Sequence, residues 1–154
     1  MQPGLQKNGG DQALGRSRGG LTTKIHAAGI DESRSVALHL SAGNAGDAPA
    51  FDPLYDSLNP ENMLEAIAMD KGYDSDHIRQ RLELDGIEPV VSPKANRMCQ
   101  YPYDLERYKR RNTIERFFNK LKQFRRIATR YYKLKVTFFA AVYLAASLIA
   151  LKNS

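Results

Sequence analysis

The stretch YKRRNTIERFFNKLKQFRRIATRYYK, Tyr108 to Lys133, holds one carboxylate, Glu115, among its bases. A solvated helix scatters acids among its bases so that they pair at (i, i+4), so a lone acid calls for another explanation. On a helical wheel with Ile114 at zero, Phe117, Phe118, Leu121 and Phe124 share one arc, from about 280° to 40°, the face expected to be buried. Tyr108, Arg111, Glu115, Lys122 and Arg126 form a polar stripe along its rim, at about 60° to 120°. Arg116, Lys120 and Arg130 point elsewhere, where solvation is sufficient. A carboxylate held on a rigid helix can ligate a divalent cation while neighbouring Arg and Lys side chains hold phosphates, the arrangement that metal-assisted phosphoryl transfer requires. The plain alternative is a structural ion pair between Glu115 and Arg111, four residues apart.

A second acid adds weight to the first reading. Asp70 closes the apolar run AIAMD and is followed by KGYDS. The C-terminal ends of strands are where α/β sheets place their ligand sites, so Asp70 and Glu115 together suggest much of a two-metal site. Alone, a strand-ending Asp is more often a turn former.

The elements that must position these residues are legible in outline. Residues 1–20, rich in Gly and polar residues with no period, read as a flexible segment holding no core strand. LTTKIHAAGI and SVALHLSAG alternate apolar and polar residues and read as two strands, with Asp31 to Arg34 between them as a hairpin turn. AFDPLYDSL reads as a short helix with Pro49 near its start. HIRQRLELDG reads as a helix with Ser75 as N-cap and Gly86 just past its end. IEPVVSP reads as a strand that Pro89 pushes towards a sheet edge or strand start. One helix is predicted from about Tyr103 to Tyr132, and a buried apolar helix from about Val136 to Leu151. This order describes an α/β domain with a mixed sheet.

Composition narrows the partners. The 154-residue chain suits one domain, with formal charge +6, but 14 Lys/Arg and 3 Asp/Glu lie between Lys94 and Lys135 while the remainder is net acidic. So local a basic region points to a polyanion. Cys99 is the sole cysteine, which excludes an intrachain disulfide and a cysteine metal cluster and fits a reducing cytoplasm. The 16-residue run from Val136 falls short of the usual span of about 20 residues, so no membrane partner is expected. His26, His39 and His77 lack metal-ligand spacing and read as ordinary strand or helix residues. Tyr101, Tyr103, Tyr131 and Tyr132 flank the basic helix and read as packing residues rather than base-stacking ones.

Tyr108, Arg111, Glu115 and Lys122 match at every spacing the Y-x2-R-x3-E-x6-K signature, and the chain thereby resembles bacterial insertion-sequence DDE transposases, the broad group containing insertion-sequence families four and five. AMDKGYDSDHIRQRL is similar to the segment around that family's second catalytic Asp, and GRSRGGLTTKIH with LSAGNAGD to the strand and loop before it. The resemblance runs from about Lys7 to Leu151. It implies an RNase H-like (retroviral-integrase-like) fold in which two Asp and one Glu hold two Mg²⁺ (or Mn²⁺) ions that activate water, then a freed 3′-hydroxyl. Carried over by position, Asp70 and Glu115 become metal ligands, and Tyr108, Arg111 and Lys122 become supports that orient or contact the DNA end. Arg16, Arg18, Lys109, Arg110, Arg116, Arg126 and Arg130 are the candidate contacts to double-stranded DNA, both transposon ends and target. The implied setting is cytoplasmic and nucleoid-associated.

The family's first catalytic Asp lies on a central strand upstream of the GRSRGG loop. Asp11, in the Gly-rich KNGGDQALG, has no apolar run before it and is not a substitute. The expectation is therefore a flexible segment over 1–20 and a partial catalytic domain over 21–154 that lacks the first central strand. The gap would be filled by an upstream transposase segment or a second protomer. The alternative readings are a non-catalytic DNA-binding regulator and a truncated remnant of a transposase.

Overall fold

Strict alternation decides how the first strands pack. The structure, a computed structural model, describes residues 13–18, 20–29, 35–58, 64–129 and 134–153. Strands β1 (Gly15–Ser17), β2 (Gly20–Gly29) and β3 (Ser35–Ala42) form an antiparallel sheet in that order. The register sets Ile25 against Leu40 and Ala27 against Leu38, so the middle of one face is apolar, with Thr23 opposite Ala42 at its end. On that face Leu38 and Leu40 join the main core with Phe117, Leu121, Phe138 and Val142. The opposite face carries Lys24, His26, His39 and Ser41. The predicted turn at Asp31 to Arg34 lies outside the described residues, but the strands on either side pair as a hairpin requires.

β1 adds a three-residue strand, paired among the described residues only with β2, to the segment over 1–20, whose sequence reads as flexible with no core strand. Gly15, Arg16 and Ser17 pair with Thr22, Leu21 and Gly20. Gly20 turns with φ +101°, a conformation that glycine adopts without steric cost. Three residues with no apolar alternation give periodicity nothing to detect.

β4 (Ala66–Met69) and β5 (Glu88–Val91) pair in parallel through a crossover containing a 3₁₀ turn (Lys71–Tyr73) and α2 (Asp76–Leu84). The predicted caps of α2 are in place. Ser75 Oγ accepts from the Ile78 N–H at 3.2 Å, and Gly86, just beyond the helix, has φ +73°. Ile78 and Leu82 have no exposed surface and pack with Met69, Val91 and Phe51 in a second core cluster. Phe51 opens α1 (Phe51–Asp56), the short helix expected there, which lies with the 3₁₀ turn Ala48–Ala50 against β3. Pro89 stands in β5, a strand with one neighbour among the described residues, where its missing N–H is tolerated.

The described strands thus form two sheets and not one continuous mixed sheet. Past Thr22 the outer flank of β2 has no partner strand among the described residues, and neither has the second flank of β4.

The single helix predicted from Tyr103 to Tyr132 is three: α3 (Leu105–Lys109), α4 (Arg111–Lys122) and α5 (Arg125–Ala128). The joint at Arg110 keeps helical angles, but Phe124 is extended (φ −80°, ψ 101°). The reason lies in Ile127, which on an unbroken helix would fall well outside the core arc and here is buried in the main core. Arg126, beyond the break, leaves the stripe that the wheel gave it. α6 (Lys135–Lys152) buries Phe138, Val142, Ala145, Ala146 and Ile149 while Val136, Leu144, Leu148 and Leu151 stay exposed, so the helix predicted as buried is buried along one stripe only. By length and composition α6 could also cross a membrane.

Candidate catalytic and DNA-contact site

β4 ends by delivering Asp70 at its C-terminal end, where the carboxylate caps the 3₁₀ turn: Oδ1 accepts from the Lys71 N–H at 2.8 Å. α4 presents Arg111 on its first turn and Glu115 one turn later. Arg111 Nη1 lies 2.7 Å from Glu115 Oε1 and 3.7 Å from Asp70 Oδ2. One guanidinium therefore draws a strand-end carboxylate and a helix carboxylate to the same point. The Arg111–Glu115 ion pair of the plain reading exists, and it is shared with Asp70. Both carboxylates keep about half their side-chain surface in water, at 56% and 52%, so each retains access to an incoming cation.

Tyr108 supports the group from α3, its ring centroid 5.4 Å from Arg111 Cζ and edge-on to Tyr103 at 5.1 Å. Burial pushes its hydroxyl pKa up; Arg111 opposes this, and Asp70, Tyr103 and Glu115 add to it. Lys122 lines, with Glu115 and Asn119, a groove of about 590 Å³ whose other walls include Thr23, Ile25, Phe118 and Ile127. Its β2 wall is the flank that lacks a partner strand past Thr22.

The structure thus brings together Asp70, Tyr108, Arg111 and Glu115, whereas Lys122 lines a groove to which only Glu115 of these four contributes. The candidate DNA contacts are spread more widely. Arg16 stands exposed on β1 and Arg18 just beyond it; Arg110 is exposed at the α3–α4 joint, Arg116 on α4 and Arg126 on α5. Lys109 is paired with Glu106 at 2.6 Å. Arg130 and Asp11 lie outside the described residues, as do Tyr131 and Tyr132.

Two polar clusters beside the site were not foreseen. Asp74, four residues past Asp70, has a side chain with no exposed surface that accepts at 2.9 Å from Lys94 N–H, Arg79 Nε and Arg97 Nε. Burial alone would raise its pKa; these hydrogen bonds outweigh burial and hold it below the ordinary carboxylate value. His26 is buried and bonded on both ring nitrogens, to Tyr73 Oη at 2.6 Å and Ser41 Oγ at 2.7 Å. In sequence Asp74 hides in the polar link KGYDSD; His26 gave one signal, its place on the polar side of an alternating strand. His77 is exposed and paired with Asp52 at 2.8 Å.

Mg²⁺ and Mn²⁺ take hard oxygen donors, and Mg²⁺ is commonly held by one or two carboxylates with substrate phosphate and water completing its shell. Asp70 and Glu115, already gathered about a cation, fit that description. Among the described residues no group of three or more His, Cys, Asp or Glu side chains could hold a metal.

Comparison with known proteins shows the family of the chain. Residues 5–150 match the family described as Transposase DDE domain, and the chain belongs to that family. Over 134 residues it is 34% identical to a protein of Brucella ovis described as a transposase for insertion sequence element IS6501, an alignment covering 86% of this chain and all of that protein. No solved structure matches the chain.

Proposed function

We propose that the chain carries two of the three carboxylates of a metal-dependent site that nicks DNA at transposon ends and transfers the freed strand to target DNA. The observation that carries this reading is the convergence of Asp70 and Glu115, from separate elements, on Arg111. Bound Mg²⁺ (or Mn²⁺) would supply Lewis-acid activation of the attacking oxygen and charge neutralisation at phosphorus. Asp70 and Glu115 would be its protein ligands. Arg111 offsets one of the two carboxylate charges, leaving a net negative charge for a cation, and lies over the Tyr108 ring, a cation–π contact that holds it beside the site. Lys122, across the groove from β2, supplies a point charge for the DNA backbone.

The third carboxylate and an RNase H-like continuous sheet belong to the same proposal. Among the described residues the outer flank of β2 and the second flank of β4 have no partner strand, and strand edges are places where further pairing can form. A strand placed between them, from an upstream transposase segment or a second protomer, would join the two sheets and bring its own acid to the groove. The incomplete carboxylate set among the described residues favours a second reading, in which the chain alone binds DNA without cutting it.

One experiment separates the two. The chain, with and without the segment encoded immediately upstream of Met1, is incubated with labelled transposon-end duplex and Mn²⁺. Cleavage only with the added segment, abolished by Asp70→Asn and by Glu115→Gln, is the expected result. Cleavage retained in either variant overturns the site assignment, and salt-sensitive binding with no cleavage under either condition supports the regulator.

A further inference from the structure

β2 reaches across to the turn that sets Asp70. His26, with 4% of its surface exposed, bonds through Nδ1 to Tyr73 Oη at 2.6 Å and through Nε2 to Ser41 Oγ at 2.7 Å. Ser41 belongs to β3 and Tyr73 to the 3₁₀ turn after β4, so this line of three side chains ties the antiparallel sheet to the parallel one. Tyr73 in turn returns its N–H to the Asp70 carbonyl at 2.9 Å, closing the turn that Asp70 caps.

A second brace runs beside the first. Lys24, two residues before His26 on the same strand face, donates to Asp47 Oδ1 at 2.8 Å and to the Ala45 carbonyl at 2.7 Å. The Asp47 carboxylate packs so closely on Gly72 that a Cβ there would fall 2.2 Å from Oδ2. Two residues of the turn are thus held from β2, Gly72 by contact and Tyr73 by a hydrogen bond.

We propose that His26 and Tyr73 are positioning residues for Asp70. Their bond fixes the Asp70–Tyr73 turn against the hairpin, so that the carboxylate meets the metal in one orientation. Neither side chain need touch metal or DNA. The inference rests on the reading of Asp70 as a metal ligand.

The imidazole's two bonds can be removed separately. In His26→Asn the side-chain amide takes the place of Nδ1 and keeps the Tyr73 bond; in His26→Gln it takes the place of Nε2 and keeps Ser41. The full chain is titrated with Mn²⁺, free Mn²⁺ is followed by electron paramagnetic resonance, and each variant's thermal unfolding is recorded alongside. Asp70→Asn reports on the site itself. The expected pattern is affinity near wild type for His26→Asn and a loss of about tenfold for both His26→Gln and Tyr73→Phe, the lower end of the effect of partners that orient metal ligands. Affinities that follow unfolding temperature across the series would overturn positioning in favour of a structural role. So would wild-type affinity in Tyr73→Phe, the variant with least change in shape, while Asp70→Asn has lost binding. Undiminished binding in Asp70→Asn removes Asp70 as a ligand and the inference with it.

Discussion

Asp74→Ala tests the network that anchors the approach to the site. Its carboxylate is fully buried and answers three donors: the Lys94 N–H, Arg79, whose side chain is 7% exposed, and Arg97 at 15%. Removing it leaves the Lys94 N–H without this acceptor and the two guanidinium groups without their shared buried carboxylate, although Arg79 keeps the Val91 carbonyl at 3.2 Å and Arg97 keeps Asp76 at 2.7 Å. Breaking a buried charge pair from one side costs about 3–5 kcal/mol, against a total stability of about 5–15 kcal/mol for an ordinary domain. At this chain length each kcal/mol moves the unfolding temperature by about 2–4 °C, so a fall of roughly 6–20 °C is expected. Urea unfolding at pH 7, followed by far-ultraviolet circular dichroism, measures the loss directly. The pH dependence supplies a second check. The folded-state pKa lies below the unfolded value of about 3.9, so the contribution is present above pH 4 and is lost as the pH falls through the folded value. Wild type and Asp74→Ala should therefore converge in acid. A loss under about 1 kcal/mol at pH 7, or a difference that persists below the folded pKa, would refute the argument.

The other predictions follow from burial. His26 has its pKa lowered chiefly by desolvation, with Asp47 opposing and His39 and Lys24 adding to the shift; His39 is lowered by burial and by Lys135. The unfolded chain therefore takes up protons first, and the urea midpoint should fall as pH drops from about 7.5 through the unfolded histidine value of about 6.5. A flat midpoint, or an unchanged slope in His26→Asn, would contradict this. Phe117 has no exposed surface and meets Phe118 edge-on at 5.8 Å, so Phe117→Ala should cost about 3–5 kcal/mol in the same assay. A cost under about 1.5 kcal/mol would show that the core collapses around the gap.

What was legible in the sequence was whatever repeats with a local period or sits at a fixed short spacing. Alternation in LTTKIHAAGI and SVALHLSAG gave the hairpin and its apolar face, Ser75 and Gly86 gave the ends of α2, and the run AIAMD gave a strand with Asp70 at its end. The spacing of Tyr108, Arg111 and Glu115 survives because the joint at Arg110 keeps helical angles. The break at Phe124 was not legible, because the preceding pattern continues through it; only the position of the core shows why Ile127 must turn inward. α6 is apolar all round, so no periodicity announced which stripe would be covered.

The sequence by itself therefore determined the elements and the chemistry each one carries, since both depend on neighbours within a few residues. Tertiary structure decided how those elements meet. It placed Asp70 and Glu115, 45 positions apart, against the same Arg111 nitrogen, buried Asp74 beneath two arginines, and set His26 between Ser41 and Tyr73. Each of these joins residues distant in the chain, and a buried polar group must find its partners wherever packing happens to bring them. Which strands lie beside β2 and β4 among the described residues is likewise a property of the assembled fold, because a strand's period says which way its side chains point and nothing about what lies beside it.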